Sequence, residues 1–214
     1  MRGWRLAGLV SVGIAAAFLF GLAGAWYLGG DSHQRREGSQ GLAGGLERPP
    51  GGAFALSDQE GRPVASADLA GRYLLVYFGY SQCSDACPLA MAAMSGAVAR
   101  LPAEQVARLA PLLVTLDPLV DDGEQLSRYL ENFHPAFRAL RGEAEEVAAA
   151  AAAFRVAYDP EAREDALGRR VIDHGASIYL MGPDGAFLRQ FDYRVDPDRL
   201  AEVLSGYLAA AAAG

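Results

Sequence analysis

The only two cysteines of this 214-residue chain, Cys83 and Cys87, stand four residues apart in Gln82-Cys83-Ser84-Asp85-Ala86-Cys87-Pro88. Placed about one turn apart at a helix start, their sulfurs can approach each other. That suits a local disulfide or a soft metal gripped by two thiolates. The pair follows an apolar run and precedes a helical stretch, and in such a strand-to-helix loop backbone N–H groups and the helix dipole lower a thiol's pKa. The thiolate is the form that binds metal and exchanges disulfides. Two cysteines alone cannot staple a loop-rich fold, and the spacing is not the Cys-x-x-Cys of common oxidoreductases.

Histidine is the next constraint, because there are only three. His33 lies in a polar stretch near the N-terminus. His134, in Phe133-His134-Pro135, reads as a helix-end or packing residue. His174, in Ile172-Asp173-His174-Gly175-Ala176, sits in a loop immediately before a strand. Should loops at one sheet edge converge, Cys83, Cys87 and His174 would supply two thiolates and an imidazole, a set suited to copper in either oxidation state. A structural zinc site would usually want a fourth protein ligand. Asp85, between the cysteines, and Asp117, at the end of a buried strand, are candidates for supporting that set or touching a partner, with turn or cap roles as the plainer reading. Met91 and Met94 read as core residues rather than soft ligands.

The elements that must position these residues follow from pattern. Phe54-Ala55-Leu56 and Val64-Ala65 flank a polar, Gly-containing turn and read as a hairpin. Residues 73–78 form a continuous apolar run expected of a strand buried on both faces, and residues 88–101 a helix with Pro88 in its tolerated first turn. Residues 112–116 read as a second buried strand, stopped by Asp117-Pro118. Asp121 or Asp122 caps a helix reaching Asn132; Arg138-Ala139-Leu140 is short and extended. Residues 143–154 form an alanine-rich helix. Residues 156–158 read as a strand, and residues 159–170 as a polar insertion without period. Residues 176–181 and 187–191 are strands joined around Gly182-Pro183-Asp184-Gly185, and residues 197–213 close with a helix. Alternating strands and helices, ending in a hairpin plus helix, describe an α/β domain with a mixed central sheet.

Ahead of this domain, residues 6–28 are 23 consecutive residues without charge. A helix of that length reaches about 34 Å, enough for a hydrocarbon core of about 30 Å. Arg2 and Arg5 precede it, so the positive-inside rule keeps residues 1–5 in the cytoplasm and exports the rest. Ala23-Gly24-Ala25 has the form of a cleavage site, but the apolar run is longer than a usual signal core, and the segment reads as a retained single-pass anchor. Residues 29–52, rich in Gly, Ser, Gln and Arg, read as a flexible linker, and residues 53–214 as one domain. Beyond the apolar segment lie 17 basic and 26 acidic residues, a net charge of −9, which argues against nucleic acid as a partner.

Several of these pieces, in this order, resemble the Sco/SenC family of membrane-anchored copper chaperones. They are residues 54–63, Tyr77-Phe78-Gly79-Tyr80, Cys83-x-x-x-Cys87-Pro88, Leu116-Asp117-Pro118, Phe133-His134-Pro135 and Asp173-His174 leading into Ile178-Tyr179-Leu180. The resemblance covers the whole folded part. It implies a thioredoxin-like fold, copper bound by Cys83, Cys87 and His174, and a cysteine pair able to form a redox disulfide. It also implies a periplasmic domain on the inner (cytoplasmic) membrane that serves maturation of the binuclear copper centre of cytochrome c oxidase. Its partners would be the oxidase's copper-site subunit and other copper carriers or thiol reductants. The family usually has His before the first cysteine and Pro after it; here Gln82 and Ser84 stand there, and neither change removes a ligand. Two rivals remain open: a thiol–disulfide reductase that keeps the acceptor's cysteines reduced, and a peroxidase acting through one thiolate. Against the first, no Pro precedes the strand after His174.

Overall fold

The computed structural model describes residues 49–166 and 168–210. The membrane segment read at residues 6–28, and the linker before residue 49, lie outside the described residues. Among the described residues no helix is long and apolar enough to cross a membrane.

The chain opens with the expected hairpin, β1 (Ala55–Asp58) against β2 (Pro63–Ala65). A 3₁₀ turn, Ser66–Leu69, leads to β3 (Tyr73–Gly79), every residue of which is buried. Helix α1 (Ala86–Ala99) and the short α2 (Ala103–Val106) precede β4 (Leu109–Thr115), also buried throughout. Then come α3 (Gly123–Leu130), β5 (Arg138–Arg141) and α4 (Ala144–Ala153). A two-stranded ribbon, β6 (Arg163–Glu164) with β7 (Arg170–Val171), precedes β8 (Ser177–Met181), β9 (Phe187–Asp192) and α5 (Pro197–Ala210).

Seven strands make one mixed sheet in the order β2-β1-β5-β4-β3-β8-β9. β3, β4 and β5 are parallel neighbours, while β8 pairs antiparallel with β3. Alternation along β3 divides the core. Tyr73, Leu75 and Tyr77 pack with α1 residues such as Met91 and Met94 and α5 residues such as Leu200 and Leu204. Leu74, Val76 and Phe78 pack on the other face with Val147, Ala150 and Phe154 from α4 and its cap. A continuous apolar run is what a strand covered on both faces requires. This is the thioredoxin-like arrangement, with a mixed sheet between helices.

Three local expectations change. Helix α1 starts at Ala86 rather than Pro88, so Cys87 belongs to its first turn. β4 begins three residues before Leu112 and runs through Pro111. Pairing with β5 starts only at Leu112, so the donor that Pro111 lacks falls where β4 has one paired edge. Residues 156–158 form no strand; Tyr158 makes a single bridge to His174.

Candidate metal centre

The sheet topology itself gathers the chemistry. β3 and β8 are antiparallel, with Tyr77 opposite Ile178, so the residues after β3 and those before β8 emerge at one edge. β4 runs parallel to β3, with Gly79 opposite Thr115, which brings Asp117 to that same edge. Cys83 therefore sits in the loop leaving β3, Cys87 in the first turn of α1, and His174 in the loop entering β8.

Both cysteines are free thiols, Cys87 fully buried and Cys83 half-buried. The Cys87 backbone N–H donates to Cys83 Sγ at 3.4 Å. Cys87 Sγ lies 3.7 Å from His174 Nε2. One donor atom from each of Cys83, Cys87 and His174 lies within 4.8 Å of the other two. Metal–ligand bonds of about 2.0–2.3 Å place ligand pairs about 3.5–4.5 Å apart, so a small contraction lets the three share one ion.

The imidazole is set for that role. His174 Nδ1 is 3.0 Å from the Gly175 carbonyl oxygen, which can only accept. The ring proton therefore sits on Nδ1, and Nε2 presents a lone pair toward the sulfurs. The loop is pinned by the Gly175 N–H to Ala157 O and the Asp159 N–H to Asp173 O, both at 2.9 Å. The rings of Tyr77 and Tyr80 stand edge-on to the imidazole, with centroids at 6.3 and 5.8 Å.

The two thiols are driven apart electrostatically. The hydrogen bond from Cys87, together with the backbone N–H groups of Asp85 and Cys87, holds Cys83 far below the ordinary thiol range, against partial burial. The same hydrogen bond to Cys83, with burial, pushes Cys87 up. The pair thus shares one proton, kept on Cys87, and Cys83 carries the thiolate at the helix N-terminus.

Several residues that sequence reasoning missed build this geometry. A Cβ at Gly79 would stand 2.8 Å from Cys87 Sγ and 2.7 Å from the Tyr77 ring, so only glycine admits the sulfur there. Asp121, read from sequence as a possible helix cap, is instead buried beneath the cysteine loop; Asp122 caps α3 through the Gln125 N–H. Asp121 accepts from the Ser81 N–H at 3.0 Å, the Ser81 hydroxyl at 2.5 Å and the Thr115 hydroxyl at 2.6 Å. Burial pushes its carboxyl up while those hydrogen bonds pull it down. A doublet of aspartates after a strand gives no hint of which one turns inward.

The weaker candidates stay outside the cluster. Asp85 occupies the cap position of α1, but its side chain is exposed and makes no capping bond. Asp117 is buried in an ion pair with Arg170, 2.5 Å to Nε and 3.0 Å to Nη2, which fastens the β6–β7 ribbon across the sheet edge. His134 is structural: its Nδ1 accepts from the Ala136 N–H and its own N–H donates to Ser95. Met91 and Met94 are fully buried in the core.

Comparison with known proteins agrees with this architecture. The human "Protein SCO2 homolog, mitochondrial" is 31% identical over 199 residues, 92% of this chain and 74% of that protein. The mouse protein of the same name is 33% identical over 160 residues, 74% of this chain; the chain spans 62% of its length. The solved structure of Bradyrhizobium japonicum ScoI with copper bound superposes with a TM-score of 0.67 at 30% identity, covering 74% of this chain and 99% of that one. The family model described as SCO1/SenC matches residues 45–209, and with most of its length inside that match the chain belongs to the SCO1/SenC family.

Proposed function

We propose that this protein is a copper-binding chaperone, anchored in the inner membrane with its domain in the periplasm, that serves assembly of the binuclear copper centre of cytochrome c oxidase. The observation that carries the reading is the convergence of two sulfurs and one imidazole nitrogen within 4.8 Å of one another. Two thiolates and an imidazole form a soft donor set of the kind copper takes, and a related structure of the same fold holds copper. Cys83 Sγ, Cys87 Sγ and His174 Nε2 would be the ligands. With only three protein donors, one side of the ion stays open to a ligand from an acceptor, the copper-site subunit of the oxidase. Transfer by ligand exchange needs that open side.

The test is copper stoichiometry of the reduced protein under a competing chelator, compared with Cys83→Ser and His174→Ala. One copper held tightly by the wild type and lost or weakened in both variants is the expected result. Retention indifferent to His174 would overturn the three-ligand site.

One observation favours a second reading. Cys83 is half-exposed and thiolate-like while Cys87 is buried beside it, the asymmetry of an attacking and a resolving thiol. A thiol–disulfide reductase acting on the acceptor's cysteines would use that pair without His174. His174→Ala separates the two activities, because it should cripple copper retention and leave dithiol exchange largely intact.

A further inference from the structure

Tyr77 and Tyr80 have more to do than pack. Tyr77 is fully buried, and Cys87 Sγ, at 3.7 Å, is the one hydrogen-bond partner its hydroxyl has among the described residues. A buried hydroxyl with a poor partner costs about 1–3 kcal/mol, and a neutral thiol is a weak acceptor. Phenylalanine would fill the same space without that cost. A sulfur bound to a metal is anionic, and it makes a far better acceptor for the same O–H. Tyr80 shows the same relation one loop further on. Its hydroxyl accepts from the Ile172 N–H at 3.2 Å, which leaves its own proton to donate, and its carbonyl accepts from the Cys83 N–H at 3.3 Å, which holds the Cys83 loop beside it. The two rings also bracket the His174 imidazole edge-on. Tyr77 therefore touches Cys87 and His174, and Tyr80 touches His174 next to the Cys83 loop.

We propose that the Tyr77 and Tyr80 hydroxyls donate to the Cys87 and Cys83 sulfurs in the copper-loaded protein, as positioning residues that draw electron density from the thiolates and tilt the site toward Cu(I) over Cu(II). The proposal rests on the copper reading above. Its physical basis is general: hydrogen bonds around a coordinating cysteine sulfur tune the bound metal, because a thiolate that shares its charge with a donor gives less of it to the ion. Cu(II) needs that donation more than Cu(I) does, so removing the hydroxyls should favour Cu(II).

The experiment uses the full-length protein and its Tyr77→Phe and Tyr80→Phe variants, loaded with Cu(II) and with Cu(I) in turn. Loss of one hydrogen bond should lower the Cu(I)-over-Cu(II) affinity ratio by about two- to tenfold and move the sulfur-to-copper charge-transfer band to longer wavelength. A second readout needs no variant. In the wild type the copper–sulfur stretch should shift on transfer from H₂O to D₂O, and that shift should shrink in Tyr77→Phe. A merely structural tyrosine would move neither the band nor the isotope shift. Wild type that binds no copper would sink the copper reading itself. Wild type that binds copper, with band, affinity ratio and isotope shift unchanged by both substitutions, would overturn this proposal alone.

Discussion

At the scale of single residues the site is a contest over one proton. Cys83 is favoured as a thiolate by hydrogen bonds from Cys87 and the α1 backbone, and the hydrogen bond to Cys83, with burial and the neighbouring negative sulfur, favours the proton on Cys87. Copper that takes both sulfurs must therefore release one proton from the pair. Between neutral and mildly acidic pH the sign is fixed: each added proton competes with the metal, so apparent affinity falls as pH falls, by about tenfold per unit. Competition against a chelator of known proton affinity, run at several pH values, checks this. A slope near two would mean that both thiols are protonated in the free protein, and no slope would mean that Cys87 is not a ligand. Cys83 and Cys87 stood out in the sequence as its only cysteines, whereas His174, in a loop before a strand, read alone as structural and joined them only through the resemblance to the Sco/SenC family. Gly79, Tyr77 and Tyr80 were legible only as letters of a motif. Their contribution is a distance to a sulfur, and that distance depends on how β3 meets α1.

At the scale of elements, what matters is how the loop leaving β3 is held still. Its anchor is Asp121, whose carboxylate takes three donors from Ser81 and Thr115 and joins the loop after β4 to the cysteine loop. Asp121→Ala leaves those donors buried without an acceptor, at a cost of about 1–3 kcal/mol. The expected result is a lower urea midpoint at unchanged slope, with weaker copper retention because Cys83 is two residues beyond Ser81. Asp121→Asn should fall between wild type and Ala, since its amide oxygen still accepts. Equal midpoints for all three proteins would show that the loop is fixed by α1 alone. Here the sequence was only partly readable. Long strands with unbroken apolar runs, β3 and β4, and the alanine-rich α4 announced themselves through pattern and propensity. β6 and β7 are two residues each, too short for alternation to register, and they read as an aperiodic insertion. The bridge of Tyr158 to His174 was mistaken for a strand because branched and aromatic residues suit both.

At the scale of the whole molecule the domain has two poles. The cysteines and His174 lie at the edge where β3 and β4 end and β8 begins. The described chain enters at the opposite edge: the Gly51 N–H bonds to Ala153 O at the end of α4, and Gly51 lies against Met181 at the far end of β8. The candidate metal site and the point where the described chain begins therefore lie at opposite ends of the sheet. The 23-residue uncharged segment at residues 6–28 is long enough to span a bilayer, and Arg2 and Arg5 before it favour an inward N-terminus. With a net charge of −9 beyond that segment, the domain has no electrostatic reason to adhere to an anionic membrane surface. In the proposed function, membrane association would come from the apolar segment itself. Full-length protein should stay with the membrane fraction after alkaline carbonate washing, and a variant lacking residues 6–28 should not. In intact spheroplasts a membrane-impermeant thiol reagent should label half-exposed Cys83, and copper loading beforehand should block that labelling. Release by carbonate of a product shortened by that segment would mean that the segment is removed as a signal peptide. Labelling only after lysis would place the domain on the cytoplasmic side and overturn the orientation.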